Sequence, residues 1–199
     1  MIPRHLLIGI ALMLAVALGM SAYVWRMRGA AAHNSPTTPD ARPVPAPVAG
    51  PSEEVTLWIA YDAPGNVRPQ GARIPLPSAR QERAQELLRA LVGVYLNKDS
   101  SHPLPSGSEV REVYLVDPGF AVIDVNSALA DGHRSGVLVE ELTVASLVQT
   151  LASNIPGINR VRILVDGKIR DSLAGHADLS MAYDVGQVNQ VVQQMQAAQ

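Results

Sequence analysis

The chain has 199 residues, which is room for one domain of ordinary size and some additional segments, because globular domains usually run about 100 to 150 residues. Its apolar fraction of 47% is sufficient for a packed core, and its net charge of -2 does not favour nucleic acid, whose phosphates require a basic surface. The chain contains no cysteine, which excludes disulfides, thiolate metal sites, cysteine nucleophiles and a lipid-modified N-terminal cysteine.

An uncharged apolar run, Leu6 to Trp25, lies near the start of the chain. As a helix it would span roughly 30 Å, the thickness of the hydrocarbon core of a bilayer. The run therefore predicts an N-terminal membrane anchor over residues 1–28 that enters the cytoplasmic membrane through Leu6–Trp25. The alternative is a secretory signal cleaved near residues 30–32, which would release the rest of the chain as a secreted protein. The run is longer than the apolar segment of about 7 to 15 residues that signals carry, which favours the uncleaved anchor.

Residues 29–52 form a proline- and alanine-rich linker that holds six of the fifteen prolines. Such a segment cannot bury a core, and in polyproline II form it reaches about 70 Å. A semi-rigid spacer of this kind is typical of envelope proteins whose folded part stands away from the bilayer. We therefore predict a single-pass protein of the cell membrane with its C-terminal domain outside the cytoplasm.

The folded domain is predicted over residues 53–184, and its first half contains one strand and one helix. The β-rich run Val55–Tyr61 predicts the strand. A loop is expected after it, because four turn residues follow within a short stretch: Pro69, Gly71, Pro75 and Pro77. A helix is then predicted from about residue 79 to 96, with Ser78 and Gln81 as a capping box at its start.

The second half of the domain repeats the pattern with two more strands, a helix and a last strand. A hairpin is predicted from Val110–Val116 and Phe120–Asn126, and a helix from about residue 137 to 152. Val161–Val165 predicts a strand that ends in a tight turn at Asp166–Gly167. The order β-α-β-β-α-β predicts an α+β fold in which two helices pack on one face of a small mixed or antiparallel sheet.

Two stretches near the C-terminus give weaker signals. Residues 168–180 are expected to return as a short strand and loop. Residues 185–199 form a glutamine-rich tail whose spaced valines predict a frayed terminal helix, because two heptads are too few for a coiled coil.

No catalytic, cofactor-binding or metal-binding residue is assigned from the sequence. The five histidines include no pair at the spacing of four residues that places two ligands on one helix face. Glu140 and Glu141 are adjacent on a helix and diverge by about 100°, so they are interpreted as first-turn charges and not as an acid–base pair. His176 is interpreted as a structural residue that donates a hydrogen bond to the backbone or to Asp178.

Several segments of the domain together resemble the GerMN domain. They are Leu104–Ser108, Val122–Val125, Glu141–Val144, Gln149–Leu151, Asn154–Pro156, Val161–Lys168 and Leu173–Ser180. The resemblance covers about residues 55 to 180. It implies an extracytoplasmic α+β module of the kind named from spore germination and sporulation, without known catalytic residues. The chain departs from that family by having one such domain and a helical anchor in place of a lipid-bearing cysteine.

The function expected from these features is a non-enzymatic, membrane-anchored protein-interaction module of the bacterial cell envelope, with a scaffold or ring-building role. Its partner would be another envelope protein or a second copy of the chain, and no nucleic acid or cofactor is expected. The alternative is a cell-wall-associated ligand-binding domain or a weak wall-processing enzyme. A cleft with a carboxylate of raised pKa would favour that alternative.

Overall fold

The structure is a computed structural model that describes residues 51–116 and 118–197. The predicted anchor and most of the predicted linker lie outside these residues. Within the described part of the chain, no helix is long and apolar enough to cross a membrane. The described residues fold as an α+β structure in the order β1–β2–α1–β3–β4–α2–α3–β5–β6–α4.

The first two strands form a separate antiparallel hairpin, in which β1 (Ser52–Tyr61) pairs with β2 (Asn66–Pro75) along its whole length. The prediction of a loop after the first strand is therefore wrong. Proline removes a backbone donor and is normally excluded from the middle of a sheet. Proline is tolerated here because, within the described residues, β2 pairs with β1 only. The other edge of β2, which includes Pro69 and Pro75, has no neighbouring strand.

The first helix, α1 (Arg80–Tyr95), lies where it is predicted but begins differently. Its N-cap is Ala79, and no side chain caps it, so the capping box of Ser78 and Gln81 is wrong. Ser78 lies one residue before the cap, too early for the helix start. The predicted buried face is confirmed, because Ala84, Leu87, Leu88 and Leu91 are all inaccessible to solvent.

The second sheet has four strands in the order β3–β4–β5–β6. Its strands are β3 (Val110–Val116), β4 (Phe120–Val125), β5 (Arg160–Val165) and β6 (Tyr183–Asp184). The pair β3–β4 is the predicted antiparallel hairpin, β4–β5 is parallel and β5–β6 is antiparallel, so the sheet is mixed as expected. The expectation of a single sheet is wrong, because β1 pairs only with β2 and not with any of these strands.

The parallel pair β4–β5 is connected by two helices, the short α2 (Ser127–Asp131) and the long α3 (Val137–Asn154). Every residue of α3 from Leu142 to Leu151 is buried, so the middle of this helix lies in the core. It packs against α1, against the hairpin β1–β2 and against α4 (Val185–Ala197). The terminal helix α4 is present as predicted. It is not frayed between Val185 and Ala197, because its Val188 and Val192 are buried against the rest of the domain.

Candidate functional site

Polar side chains on α3 cover the edge of β1 that faces away from β2. Ser146 donates to the carbonyl of Trp58 (2.6 Å), and Thr150 accepts from the amide of the same residue (2.9 Å). Asn154 both accepts from the amide of Thr56 (3.1 Å) and donates to its carbonyl (2.7 Å). These side chains take the place of a neighbouring strand, which explains why β1 does not join the larger sheet.

This edge gives a testable prediction. Asn154→Ala should lower the free energy of unfolding by about 1–2 kcal/mol, because it leaves the amide and carbonyl of Thr56 without partners in a partly buried position. Ser153→Ala is the matched control, since Ser153 accepts only from the exposed indole nitrogen of Trp58 (2.7 Å) and should change stability by less than about 0.5 kcal/mol. Urea unfolding followed by circular dichroism measures both, and equal effects would contradict the role of Asn154.

Hydrogen bonds connect Thr143, His102 and Asp62 in the order in which a nucleophile, a general base and an orienting acid are connected in a catalytic triad. Nδ1 of His102 lies 2.6 Å from a carboxylate oxygen of Asp62, and its Nε2 lies 2.7 Å from the hydroxyl of Thr143. His133 contacts the same hydroxyl through Nε2 (2.7 Å), and Asp62 is also paired with Arg134. His133 and Arg134 are adjacent in sequence, but Asp62, His102 and Thr143 come from separate parts of the chain, and no local pattern marked them.

The surroundings of Thr143 give this network a structural role. Thr143 is only 1% exposed, and its hydroxyl also donates to the carbonyl of Val139 (3.2 Å), so no substrate has access to it. Burial lowers the pKa of His102 and of His133. Burial raises the pKa of Asp62, but hydrogen bonds from Arg134 and His102 outweigh it and leave this pKa below its usual value. The network thus joins the turn of the hairpin β1–β2 to the first half of α3.

The two adjacent glutamates of α3 lie in different environments, as the helical geometry predicts. Glu140 is 0% exposed, and its carboxylate accepts from the amides of Ala174 (3.0 Å), His176 (2.9 Å) and Ala177 (2.9 Å). Burial alone would raise its pKa, but these hydrogen bonds and one from the His176 side chain lower the pKa to about 2. Glu141 is exposed. Glu140 therefore holds the loop before β6 against the start of α3.

His176, in this loop, donates a hydrogen bond to Glu140 of α3 and not to the partners that were expected. Its Nδ1 lies 2.9 Å from the carboxylate of Glu140 and 3.3 Å from the hydroxyl of Ser135. Asp178 instead accepts from the amide (2.8 Å) and hydroxyl (2.6 Å) of Ser180, which lowers the pKa of the Asp178 carboxyl. The predicted tight turn at Asp166–Gly167 is confirmed, since both residues have positive φ angles (49° and 72°).

A groove with a volume of about 350 Å³ lies between α3 and α4 and is closed at one end by the loop before β6. Its apolar wall is formed by Val144, Ala145, Ala177, Val188 and Val191. No site was predicted here from the sequence, because the wall residues come from two helices and a loop. The first and the last of them, Val144 and Val191, are 47 positions apart. Its size is at the lower end of the range for ligand pockets, enough for a few side chains.

Carboxylates and one phenol line the rim of this groove. Glu141 comes from α3, Asp178 from the loop, and Tyr183 and Asp184 from β6. The pKa of Tyr183 is raised to about 12, first by burial and then by the negative charges of Asp178, Glu141 and Glu140. The groove is therefore apolar inside and negative at its rim. Among the described residues, no group of three or more side chains is arranged to hold a metal ion.

The fold and this groove define an α+β domain with a surface cleft that is apolar inside and acidic at its rim. The model of the Germane family, described as "Sporulation and spore germination", matches residues 58–171, more than half of the chain. The chain belongs to this family, and the resemblance to GerMN-type domains is confirmed. No curated protein sequence is significantly similar to the chain.

Solved structures of similar fold include proteins from Bacillus subtilis and Clostridium perfringens. The tandem GerMN domains of the sporulation protein GerM from Bacillus subtilis have a TM-score of 0.51 and 18% identity over 67% of this chain and 46% of that chain. The first GerMN domain of the same protein has a TM-score of 0.49 and 20% identity over 64% of this chain and 92% of that chain. A candidate lipoprotein from Clostridium perfringens has a TM-score of 0.46 and 22% identity over 67% and 88% of the two chains. The tandem structure shows that the fold is shared.

Proposed function

We propose that the chain is a non-enzymatic protein-interaction module of the bacterial cell envelope, and that the groove between α3 and α4 is its docking site. The main support for this proposal is the groove. It is an open apolar cleft, and Val191 in its wall is 42% exposed, so apolar surface of the cleft faces water. An amphipathic segment of a partner that lies between the two helices would remove this apolar surface from water.

The proposed location follows from the sequence outside the described residues. The uncharged run Leu6–Trp25 would hold the chain in the cytoplasmic membrane, and the proline-rich linker would carry the domain away from it on the outer side. Membership of a family described by sporulation and spore germination is consistent with a scaffold in an envelope assembly.

The alternative of a wall-binding domain or a weak wall-processing enzyme has less support. Hydrolysis by paired carboxylates needs one acid whose pKa is raised, so that it keeps its proton. Among the described residues, every carboxyl group with a clearly shifted pKa is shifted downwards: Glu53, Asp62, Glu140 and Asp178. The accessible cleft thus offers an apolar wall and no carboxyl group with a raised pKa among the described residues, which suits docking better than acid catalysis.

Photo-crosslinking in cells tests the proposal. A photoreactive amino acid at Val191, inside the groove, should capture one recurrent envelope protein. The same amino acid at Lys98, which is exposed and does not line the groove, should not capture it. Equal capture from both positions, or capture of wall fragments from Val191, would contradict the docking site.

A further inference from the structure

The three carboxylates at the rim of the groove have no cationic partner in the structure. Among residues 51–116 and 118–197, neither lysine nor arginine forms an ion pair with Glu141, Asp178 or Asp184. The carboxylate of Asp184 accepts only from the amide of Gln187 (3.0 Å), at the start of α4. Three carboxylates around one cleft therefore lack a lysine or arginine at ion-pair distance among the described residues, although Arg160 lies opposite Asp184 in the β5–β6 pair.

The negative field of these groups acts within the groove. Besides its burial, Tyr183 is surrounded by Asp178, Glu141 and Glu140, and together these raise its pKa to about 12. The other titratable group in the wall is His176, which is hydrogen-bonded to Glu140. The carboxyl of Asp178 stays ionised because Ser180 lowers its pKa. A ligand of the groove thus enters a negative and partly apolar environment.

We propose that the groove binds a peptide segment of a partner protein in which lysine or arginine alternates with aliphatic residues. The inference rests on the groove being the docking site proposed above. The stems of lysine and arginine are themselves apolar and pack against aliphatic walls, while their charged heads reach the rim. Neighbouring aliphatic side chains fill the cleft between Val144, Val188 and Val191. Anionic or purely polar segments are rejected, because they bring like charge or leave the wall exposed to water.

Titrations with two labelled peptides of nine residues test the inference on the full chain in uncharged detergent micelles. One peptide carries two lysines among leucine, isoleucine and valine, and the other has glutamines in place of the lysines. Fluorescence anisotropy should show binding of the lysine peptide at least about tenfold tighter than that of the glutamine peptide, with the preference weakening as salt is added.

Two triple variants that change the charge equally separate a local effect from a general one. E141Q/D178N/D184N should weaken binding of the lysine peptide about tenfold and leave the glutamine peptide unaffected, since each partly exposed ion pair contributes modestly. Asparagine at 178 and 184 keeps the acceptors for Ser180 and Gln187. The control E82Q/E109Q/E112Q removes three exposed carboxylates that do not line the groove and should change binding less than about threefold.

The outcomes distinguish this inference from the proposed function. Equal binding of the two peptides, binding of neither up to about 1 mM, or the same loss in both triple variants would overturn the inference. If Val191 still captures a specific protein by crosslinking in that case, the docking site stands and its ligand has different chemistry. If the captured segment is a second copy of this chain, or a wall peptide, the commitment to a partner protein is wrong.

Discussion

Replacing Glu140 with glutamine should lower the free energy of unfolding by about 3 kcal/mol at pH 7. The carboxylate is fully buried and accepts three amides of the loop before β6, as well as the amide of Gly136 (3.1 Å) and Nδ1 of His176. Glutamine has an NH2 group in place of one carboxylate oxygen, and this group cannot accept a hydrogen bond. Some of the buried N–H donors would therefore lose their acceptor. Chemical unfolding in urea, followed by circular dichroism, measures the change.

The same substitution should remove part of the acid sensitivity of the fold. The pKa of Glu140 is about 2 in the folded state and 4.5 as its ordinary value, so its contribution of about 3 kcal/mol is complete above about pH 4.5. It is lost as the pH falls from 4.5 towards 2. The glutamine variant should therefore show a flatter dependence of stability on pH in this window. A variant with the same slope as the parent chain would contradict the assignment.

Glu141→Gln is the matched control for this experiment. The two residues are adjacent on α3, but Glu141 is exposed and its side chain makes no hydrogen bond or ion pair among the described residues. Its replacement should change stability by less than about 0.5 kcal/mol and leave the pH dependence as it is. A large effect at Glu141 would mean that the charge of the helix start, and not the buried hydrogen bonds, stabilises this region.

Leu147→Asp should abolish folding of the domain. Leu147 is 2% exposed in the middle of α3, where every residue from Leu142 to Leu151 is buried. A buried unpaired charge costs several kcal/mol beyond the loss of packing, which is a large fraction of the total stability of a domain. Circular dichroism and limited proteolysis should show an unfolded chain at 25 °C.

Leu147→Ala provides the comparison. It removes apolar contacts without adding a charge and should cost about 2–5 kcal/mol. A folded aspartate variant with stability close to that of the alanine variant would show that the side chain reaches solvent, contrary to the position of α3 in the core.

The sequence by itself determined the local elements and the family. The spacing of Leu87, Leu88 and Leu91 identified α1, the run from residue 137 identified α3, and the turn residues after Val116 and Val165 placed the strands around them. These features depend on contacts between residues a few positions apart, so the pattern of apolar and turn residues is sufficient to reveal them. The combined motifs also identified the GerMN-type domain.

Only the tertiary structure decided the rest, because the interactions concerned join distant parts of the chain. Strand β2 exists despite its prolines because β1 supplies a partner and leaves the other edge without a strand. Glu140 looked like an ordinary first-turn charge, and its buried role appears only when residues 174–177 fold against it. The groove likewise requires α3, α4 and the loop before β6 together. Burial and hydrogen bonding at β2, at Glu140 and in the groove depend on segments that are distant in sequence. The spacing of neighbouring residues does not show which of these segments meet in the fold.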